Sequence, residues 1–260
     1  MKRILFPLVS LLVLTMLLPG CSKEEKSTVV DWEGYEYKTK LYGQNWWMVE
    51  NMRTTRTKDG QNIWVSSDED KFSYTTPYCY FYDDNNKVYF KERGCLYNWA
   101  AANEVCPEGW HLPTVADYEA LEQYISSVDK YCYKGNRKSI AKAMAANKGW
   151  LVSYDVGTPG CNSMTNNASG FYAYAVGHYW HGSENSFFET AEESSIWLAD
   201  EYDGNYAESF SLYNDKDSVI RRTCDKSAGF SVRCVRSSGG GPDPGDDEPE
   251  DNPWGMPVGK

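Results

Sequence analysis

The sequence predicts an α+β domain, with two or three helices, small antiparallel sheets and long loops. Residues 35–48 alternate in polarity around Tyr42-Gly43, which is typical of a β-hairpin. Helical periodicity is confined to residues 96–147, in the middle of the chain. From residue 151 to 236 this period disappears, and short apolar runs alternate with polar loops. Helices followed by short strands indicate an α+β domain.

The first half of the chain contains a second predicted hairpin and a first helix. Residues 75–90 are rich in aromatic side chains and are interrupted at 83–86 by Asp-Asp-Asn-Asn, a strong turn signal. Residues 96–104 have helical spacing. The shared face of this helix comprises Leu96, Trp99, Ala100 and Asn103.

A second helix begins after Pro113. Thr114 is a favourable N-cap, and Asp117 stands three residues later in a capping-box position. Its buried stripe comprises Val115, Tyr118, Leu121 and Ile125. Residues 139–147 predict a short third helix that ends at Gly149.

Short strands are predicted at 195–198, 209–212 and 230–232. Around them, residues 171–224 mix aromatic with short polar side chains, a composition that contact surfaces use. The alternative is that these aromatic residues line the core. The candidate ligand-binding residues in this stretch are His178, Tyr179, Trp180, His181, Tyr202, Tyr206 and Tyr213.

The two ends of the chain differ from its middle. Residues 1–20 combine Lys2 and Arg3 with an apolar run, which predicts a signal peptide. Leu-Pro-Gly before Cys21 resembles a bacterial lipobox, although an ordinary secretory signal is the alternative. We expect lipidation of Cys21, a tether over 21–33, the domain over 34–236, and a disordered acidic tail over 237–260.

Composition narrows the class of protein. The net charge is −11 and no basic patch is present, which argues against nucleic-acid partners. The chain has eight cysteines, and in an exported protein such a number indicates disulfides. A charged stretch after Cys21 resembles the surface-export signal of Bacteroidetes lipoproteins. We therefore expect an outer-membrane lipoprotein exposed at the cell surface, with a periplasm-facing position as the second choice.

Four segments together resemble the Fibrobacter succinogenes major paralogous domain. They are YGQNWWMVENMR at 42–53, GCLYNWAAA at 94–102, CPEGWHLPTVADYEAL at 106–121 and KSAGFSVRCVR at 226–236. The resemblance implies a C-type lectin-like fold, distantly similar to formylglycine-generating, sulfatase-modifying enzymes. It also implies a disulfide between Cys106 and Cys234. This bond would close a loop of about 129 residues and stabilise the fold by about 4 to 5 kcal/mol in the chain-entropy model. A bond between Cys79 and Cys95, which flank the second predicted hairpin, is a further hypothesis.

The chain lacks the common signatures of catalysis and of metal binding. It has no G-x-S-x-G, no HExxH and no phosphate loop. His178 and His181 could share a metal only on a helix, whereas the glycines around them indicate a loop. His111 is expected to be structural. We therefore expect no catalytic residue, no metal and no cofactor.

The leading hypothesis from the sequence is a non-enzymatic lipoprotein anchored to the membrane by lipid. Its lectin-like domain would bind a glycan, a peptide or a partner protein at the cell surface. The alternative is a structural or assembly component of the cell envelope without a soluble ligand. An enzyme of the sulfatase-modifying type is a third hypothesis, which would require a free, closely spaced cysteine pair.

Overall fold

The computed structural model describes residues 28–65, 73–81, 87–180, 186–188 and 190–239. Cys21, His181, the turn at 83–86 and the tail beyond Gly239 lie outside these residues. The strands are β1 Thr28–Val30, β2 Glu36–Tyr42, β3 Asn45–Met48, β4 Trp64–Val65, β5 Tyr78–Tyr80, β6 Leu96–Tyr97, β7 His178–Trp180, β8 Ser186–Phe188, β9 Glu193–Glu201, β10 Tyr206–Tyr213, β11 Ile220–Asp225 and β12 Val235–Ser237. The α-helices are α1 Lys87–Arg93, α2 Trp99–Ala102, α3 Val115–Ser127 and α4 Ala141–Met144. This mixture of small sheets and helices confirms the α+β class.

The first sheet joins the two ends of the domain. Its strand order is β1-β2-β3-β12, and all pairs are antiparallel. The hairpin predicted at 35–48 is confirmed as β2 and β3, and Gly43 in its turn has a φ of +64°, which glycine adopts without strain. The ordered part extends beyond the predicted limits, because Thr28 pairs with Lys38 and Ser237 pairs with Asn45.

The segment 229–235 crosses the middle of the molecule. Phe230 exchanges backbone hydrogen bonds with Tyr97, and Val235 does the same with His111. The disulfide Cys106–Cys234, with a Cα–Cα distance of 5.7 Å, fastens this segment to the loop before α3. Phe230 and Val232 are buried, as their alternation predicts. One covalent bond and several backbone pairs thus hold the last segment in place.

The prediction for residues 75–90 is only half right. Tyr78–Tyr80 forms β5, which pairs in parallel with β4 and antiparallel with β6. The second half of the segment is helix α1 rather than a strand. Its composition is typical of a strand, but it cannot pair with β5, because β6 already pairs with the free side of β5.

Two of the predicted helices are shorter than expected. Leu96 lies in β6, and the helix begins only at Trp99, because the Asn98 side chain accepts a hydrogen bond from Ala101 N. Its buried residues are Ala101 and Ala102, so the predicted face was wrong. The third helix ends at Met144 because the next residues turn to pair with Ala173.

Helix α3 forms as predicted. The Thr114 side chain accepts from Asp117 N at 3.1 Å, and Asp117 Oδ2 accepts from Thr114 N at 2.9 Å. His111 Nε2 lies 3.1 Å from the same carboxylate oxygen, which supports a structural role for this histidine. Tyr118, Leu121 and Ile125 are buried, whereas Val115 is half-buried.

The Asp117 carboxylate gives the domain a testable pH dependence. Burial alone would raise the pKa of Asp117, but hydrogen bonds from His111 and Thr114 outweigh it and hold the pKa below its usual value. The carboxylate therefore stabilises the fold fully above pH 4, and the stabilisation is lost as the pH falls through the lowered pKa. We expect Asp117→Asn to cost about 1 kcal/mol in urea unfolding at pH 7. An equal loss at pH 2.5 would contradict this account.

The second half of the chain is more regular than predicted. Strands β9, β10 and β11 form an antiparallel sheet, and β7 pairs with β8. Residues 178–180 are therefore a strand, not the loop that the flanking glycines indicate. Five of the twelve Phe, Tyr and Trp residues between 171 and 224 are buried in the core. Those that are buried include Phe171, Tyr174, Tyr179, Trp197 and Phe210.

Within the described residues, none of the helices is both long and apolar enough to cross a membrane.

Candidate functional site

A cleft of about 280 Å³ opens where distant parts of the chain meet. Its lining residues are Val49, Glu50, Asn51, Lys91, Glu92, Lys148, Tyr172 and Arg233. The first three follow β3, and Lys91 and Glu92 lie on α1. Lys148 follows α4, and Arg233 comes from the segment that crosses the middle of the molecule. A cavity of this volume is close to the lower end of small-molecule sites.

Arg233 forms the floor of the cleft. The side chain is 1% exposed, and its guanidinium lies 4.6 Å from the centre of the Phe171 ring. Nε donates to Asn51 Oδ1 at 2.8 Å, Nη2 donates to Tyr172 O at 2.8 Å, and Nη1 donates to Phe171 O. Asn51 is itself buried and donates to Arg93 O and Ser231 Oγ. The floor is therefore a rigid polar network.

The charge of Arg233 is buried against neutral oxygens. Burial lowers the pKa of Arg233 to about 10, so the guanidinium remains charged at neutral pH. Glu50 opposes this shift through space and lies on the wall of the same cleft. A buried charge whose direct partners are all neutral favours an anion nearby.

Tyr172 lines one wall of the cleft in a strained backbone conformation. Its φ is +59°, a region that bulky side chains rarely adopt. Two hydrogen bonds maintain this backbone conformation: Tyr172 N donates to Asn167 Oδ1 at 3.0 Å, and Tyr172 O accepts from Arg233. Strained residues of this kind cluster at functional sites. This outlier therefore adds an independent reason to regard the cleft as a site.

The rim of the cleft carries charges of both signs. Lys148 and Glu92 form an ion pair at 2.7 Å. Glu50 Oε2 accepts from Lys38 N at 2.8 Å, and Lys91 is exposed on α1. The eight lining residues include three cations and two carboxylates. The rim of the cleft therefore carries a small positive excess.

The candidate ligand-binding residues predicted from the sequence do not form one surface. Tyr202 and Tyr206 are exposed at the β9–β10 turn, with 67% and 43% exposure. Tyr213 lies at the other end of β10, about 24 Å away along the strand. Trp180 is exposed on β7, whereas Tyr179 is buried and stacks on Tyr80 with ring centres 4.0 Å apart.

His178 belongs to a buried network around Glu193. The Glu193 carboxylate is fully buried, lies 3.2 Å from His178 Nδ1, and accepts from Arg222 and Ser195. Tyr213 lies nearby, with its ring 5.7 Å from the Arg222 guanidinium. His178 contacts this network through Glu193, Tyr213 contacts it through Arg222, and both residues are half-buried.

Ser195, His178 and Glu193 are the residue types of a hydrolase triad, but the hydrogen bonds between them do not run from serine to histidine to carboxylate. Ser195 Oγ donates to the carboxylate of Glu193 rather than to the His178 ring. A serine becomes a nucleophile when a neighbouring general base, most often an imidazole, can take its proton, and Ser195 is fully buried. Within the described residues, no group of three His, Cys, Asp or Glu side chains could hold a metal ion.

Cys79 and Cys95 are close together but are free thiols in this structure. They are fully buried, and their side chains are in hydrogen-bonding contact. The predicted bond between them is therefore not formed. The register explains this, since Cys79 lies opposite Tyr97 and only diagonally opposite Cys95. Burial, followed by the contact with Cys79, raises the pKa of the Cys95 thiol, which disfavours a reactive thiolate at Cys95.

A second unusual surface lies on the loop after α4. Five apolar side chains are exposed there: Leu151, Val152, Tyr154, Val156 and Met164. The loop is organised by the Lys142 ammonium, which donates to the carbonyls of Thr158, Cys161 and Asn162 and to Asn166 Oδ1. Exposed apolar side chains on an ordered loop are typical of protein contact surfaces.

The cleft residues could not be selected from sequence composition. The five segments that line the cleft are separated by up to 182 residues, the distance between Asn51 and Arg233. The available signal lay in two of the segments that carry the family resemblance, VENMR and SVRCVR, because Asn51 and Arg233 lie in them. Arg233 is a charged residue inside an otherwise apolar strand pattern, and such a residue is a sequence signal of a functional site.

Comparison with known proteins agrees with the resemblance of these segments. The family model described as the Fibrobacter succinogenes major domain matches residues 41–236. Nothing among the curated proteins matches the chain, and no solved structure matches it either. The family match covers most of the chain, including every residue that lines the cleft. The chain therefore belongs to the Fibrobacter succinogenes major domain family.

Proposed function

We propose that this protein is a non-enzymatic surface lipoprotein whose domain binds a glycan in the cleft above Arg233. The cleft carries the proposal, because it combines a buried guanidinium, a strained tyrosine and a charged rim within about 280 Å³. Carboxylates, amides and lysines can hydrogen-bond to sugar hydroxyls, and a tyrosine ring can cover a sugar face. A folded protein could not enter a space of this size.

The C-type lectin-like fold belongs to the same proposal. Two features support it: the first and last strands share one sheet, and a disulfide ties the final segment to the loop before α3. Lipidation at Cys21 and display at the outer surface complete the proposal. They rest on the lipobox and on the charged residues after it.

A glycan array with the purified protein and two sets of variants tests this function. We expect Glu50→Gln and Lys148→Gln to weaken the strongest array signal by roughly tenfold, because each replaces a charge-assisted hydrogen bond to a sugar hydroxyl by a weaker neutral one. Tyr202→Ala and Tyr206→Ala alter the exposed aromatic turn instead and should leave the signal unchanged. If the tyrosine variants lose binding and the cleft variants retain it, the cleft is not the glycan site.

A protein partner is a second candidate function, in line with an assembly role in the cell envelope. The observation that favours it is the exposed apolar loop, in which Tyr154 and Met164 are 94% and 84% exposed. Tyr154→Ala and Met164→Ala should leave stability and glycan binding unchanged but abolish co-purification of an envelope protein after crosslinking in cells. Unchanged crosslinking would remove this candidate.

A further inference from the structure

We propose that the ligand of the cleft is an acidic sugar, whose single negative charge is held by Arg233 and Lys91. The proposal rests on glycan binding in this cleft and names the chemical class of the glycan. The negative group can be a carboxylate, as in a uronic acid, or a sulfate ester.

The charges of the cleft argue for a monoanion. Lys148 and Glu92 neutralise each other at 2.7 Å. Of the remaining lining residues, Arg233 and Lys91 are cations and Glu50 is the carboxylate, which leaves one positive charge. A neutral sugar would leave this charge without a counter-ion in a partly desolvated space, whereas a monoanion balances it.

The N–H groups of Arg233 favour a ligand that has an oxygen acceptor. A guanidinium has five N–H groups, and Arg233 uses three of them for Asn51, Phe171 and Tyr172. Among the described residues no carboxylate is hydrogen-bonded to this guanidinium, and Glu50 acts on it through space, so an anion in the cleft would add a direct charged partner. Lys91 adds a mobile ammonium at the mouth, and charge-assisted hydrogen bonds are about twice as strong as neutral ones.

The carboxylates on the rim suit the hydroxyl groups of a sugar. Glu50 and Glu92 are hydrogen-bond acceptors and would receive hydroxyl protons, which a purely anionic ligand such as inorganic phosphate does not offer in number. A ligand with several hydroxyls and one negative group therefore matches the cleft better than a simple anion does. Polyanions fit the cleft less well than a monoanion, because Glu50 and Glu92 would repel them.

Competition measured by saturation-transfer NMR with the purified full-length protein tests the proposal. The probes are methyl galactosides and methyl glucosides in three matched forms: neutral, with a carboxylate at C6, and with a 6-sulfate. We expect at least one acidic form to bind roughly tenfold tighter than its neutral counterpart, and this advantage to shrink as salt is added. The carboxylate and sulfate arms identify which acid is preferred.

The variants Lys91→Gln and Lys216→Gln complete the test. Both lysines are exposed, but Lys216 pairs only with its neighbour Asp215, so its loss is a matched control. Lys91→Gln should reduce the preference for the acidic form several-fold, because Arg233 remains, and should retain the melting temperature, whereas Lys216→Gln should retain both. If acidic and neutral forms bind equally to the unchanged protein, the acidic-sugar proposal fails and the binding function survives. If no form binds and no array glycan binds, both proposals fail.

Discussion

Replacing Cys106 and Cys234 together by serine is expected to lower the free energy of unfolding by about 4 to 5 kcal/mol. The bond joins residues 128 positions apart, so its loss restores a large conformational freedom to the unfolded chain. A loss of this size is a large part of the stability of an ordinary domain. Urea unfolding of the two proteins under non-reducing conditions measures it.

The matched control for this experiment is Cys161→Ser. Cys161 is a free thiol that is half-exposed, so its replacement should change the free energy of unfolding by less than about 0.5 kcal/mol. If the double serine variant unfolds at the same urea concentration as the unchanged protein, the bond between Cys106 and Cys234 does not stabilise the fold.

The second large effect concerns Arg233. Arg233→Met removes three donors from a buried network and leaves oxygens of Asn51, Phe171 and Tyr172 without their partner. An unsatisfied buried acceptor costs about 1 to 3 kcal/mol, and the three losses overlap because they share one site. We expect a total loss of about 3 to 5 kcal/mol in the free energy of unfolding, together with release of the strained turn at Tyr172.

Arg236→Met is the matched control, because Arg236 lies in the same segment. Its guanidinium stacks on the rings of Trp46 and Trp110, and the side chain is half-buried. Loss of these contacts should cost about 1 kcal/mol. Similar losses for the two variants would mean that Arg233 contributes only packing, and the account of the floor of the cleft would be wrong.

Local signals in the sequence were sufficient for part of the fold. The hairpin at 35–48 and helix α3 form where their patterns place them, because the turn at Gly43 and the cap at Thr114 are encoded within a few residues. The bond between Cys106 and Cys234 came from the family resemblance. These features need no knowledge of distant contacts.

Other elements depended on distant partners and were predicted less well. Residues 87–93 have strand-like composition but fold as α1, because the neighbouring position on β5 is taken by β6. The pattern around His178 and Tyr179 predicts an exposed loop. In the structure, His178 contacts Glu193 and Tyr179 stacks on Tyr80. Neither partner is near in sequence, so periodicity could not reveal them.

The candidate site was missed for the same reason. Aromatic composition favours residues 171–213 as a contact surface, but five of the twelve large rings there are buried in the core. The cleft uses only one residue of that stretch, Tyr172, and joins it to four other segments. The charge of Arg233 is visible in the sequence, whereas the backbone strain at Tyr172 and the meeting of the five segments become visible only when the backbone geometry is known.

Mapping a bound glycan by amide chemical shifts tests the central claim most directly. The labelled full-length protein is titrated with the strongest ligand from the array, and the residues whose amides move are identified. We predict that the largest changes occur at Asn51, Lys148 and Tyr172, around the cleft. Changes confined to Trp180, Tyr202 or Tyr206 would contradict the claim and would place binding on the exposed aromatic residues instead.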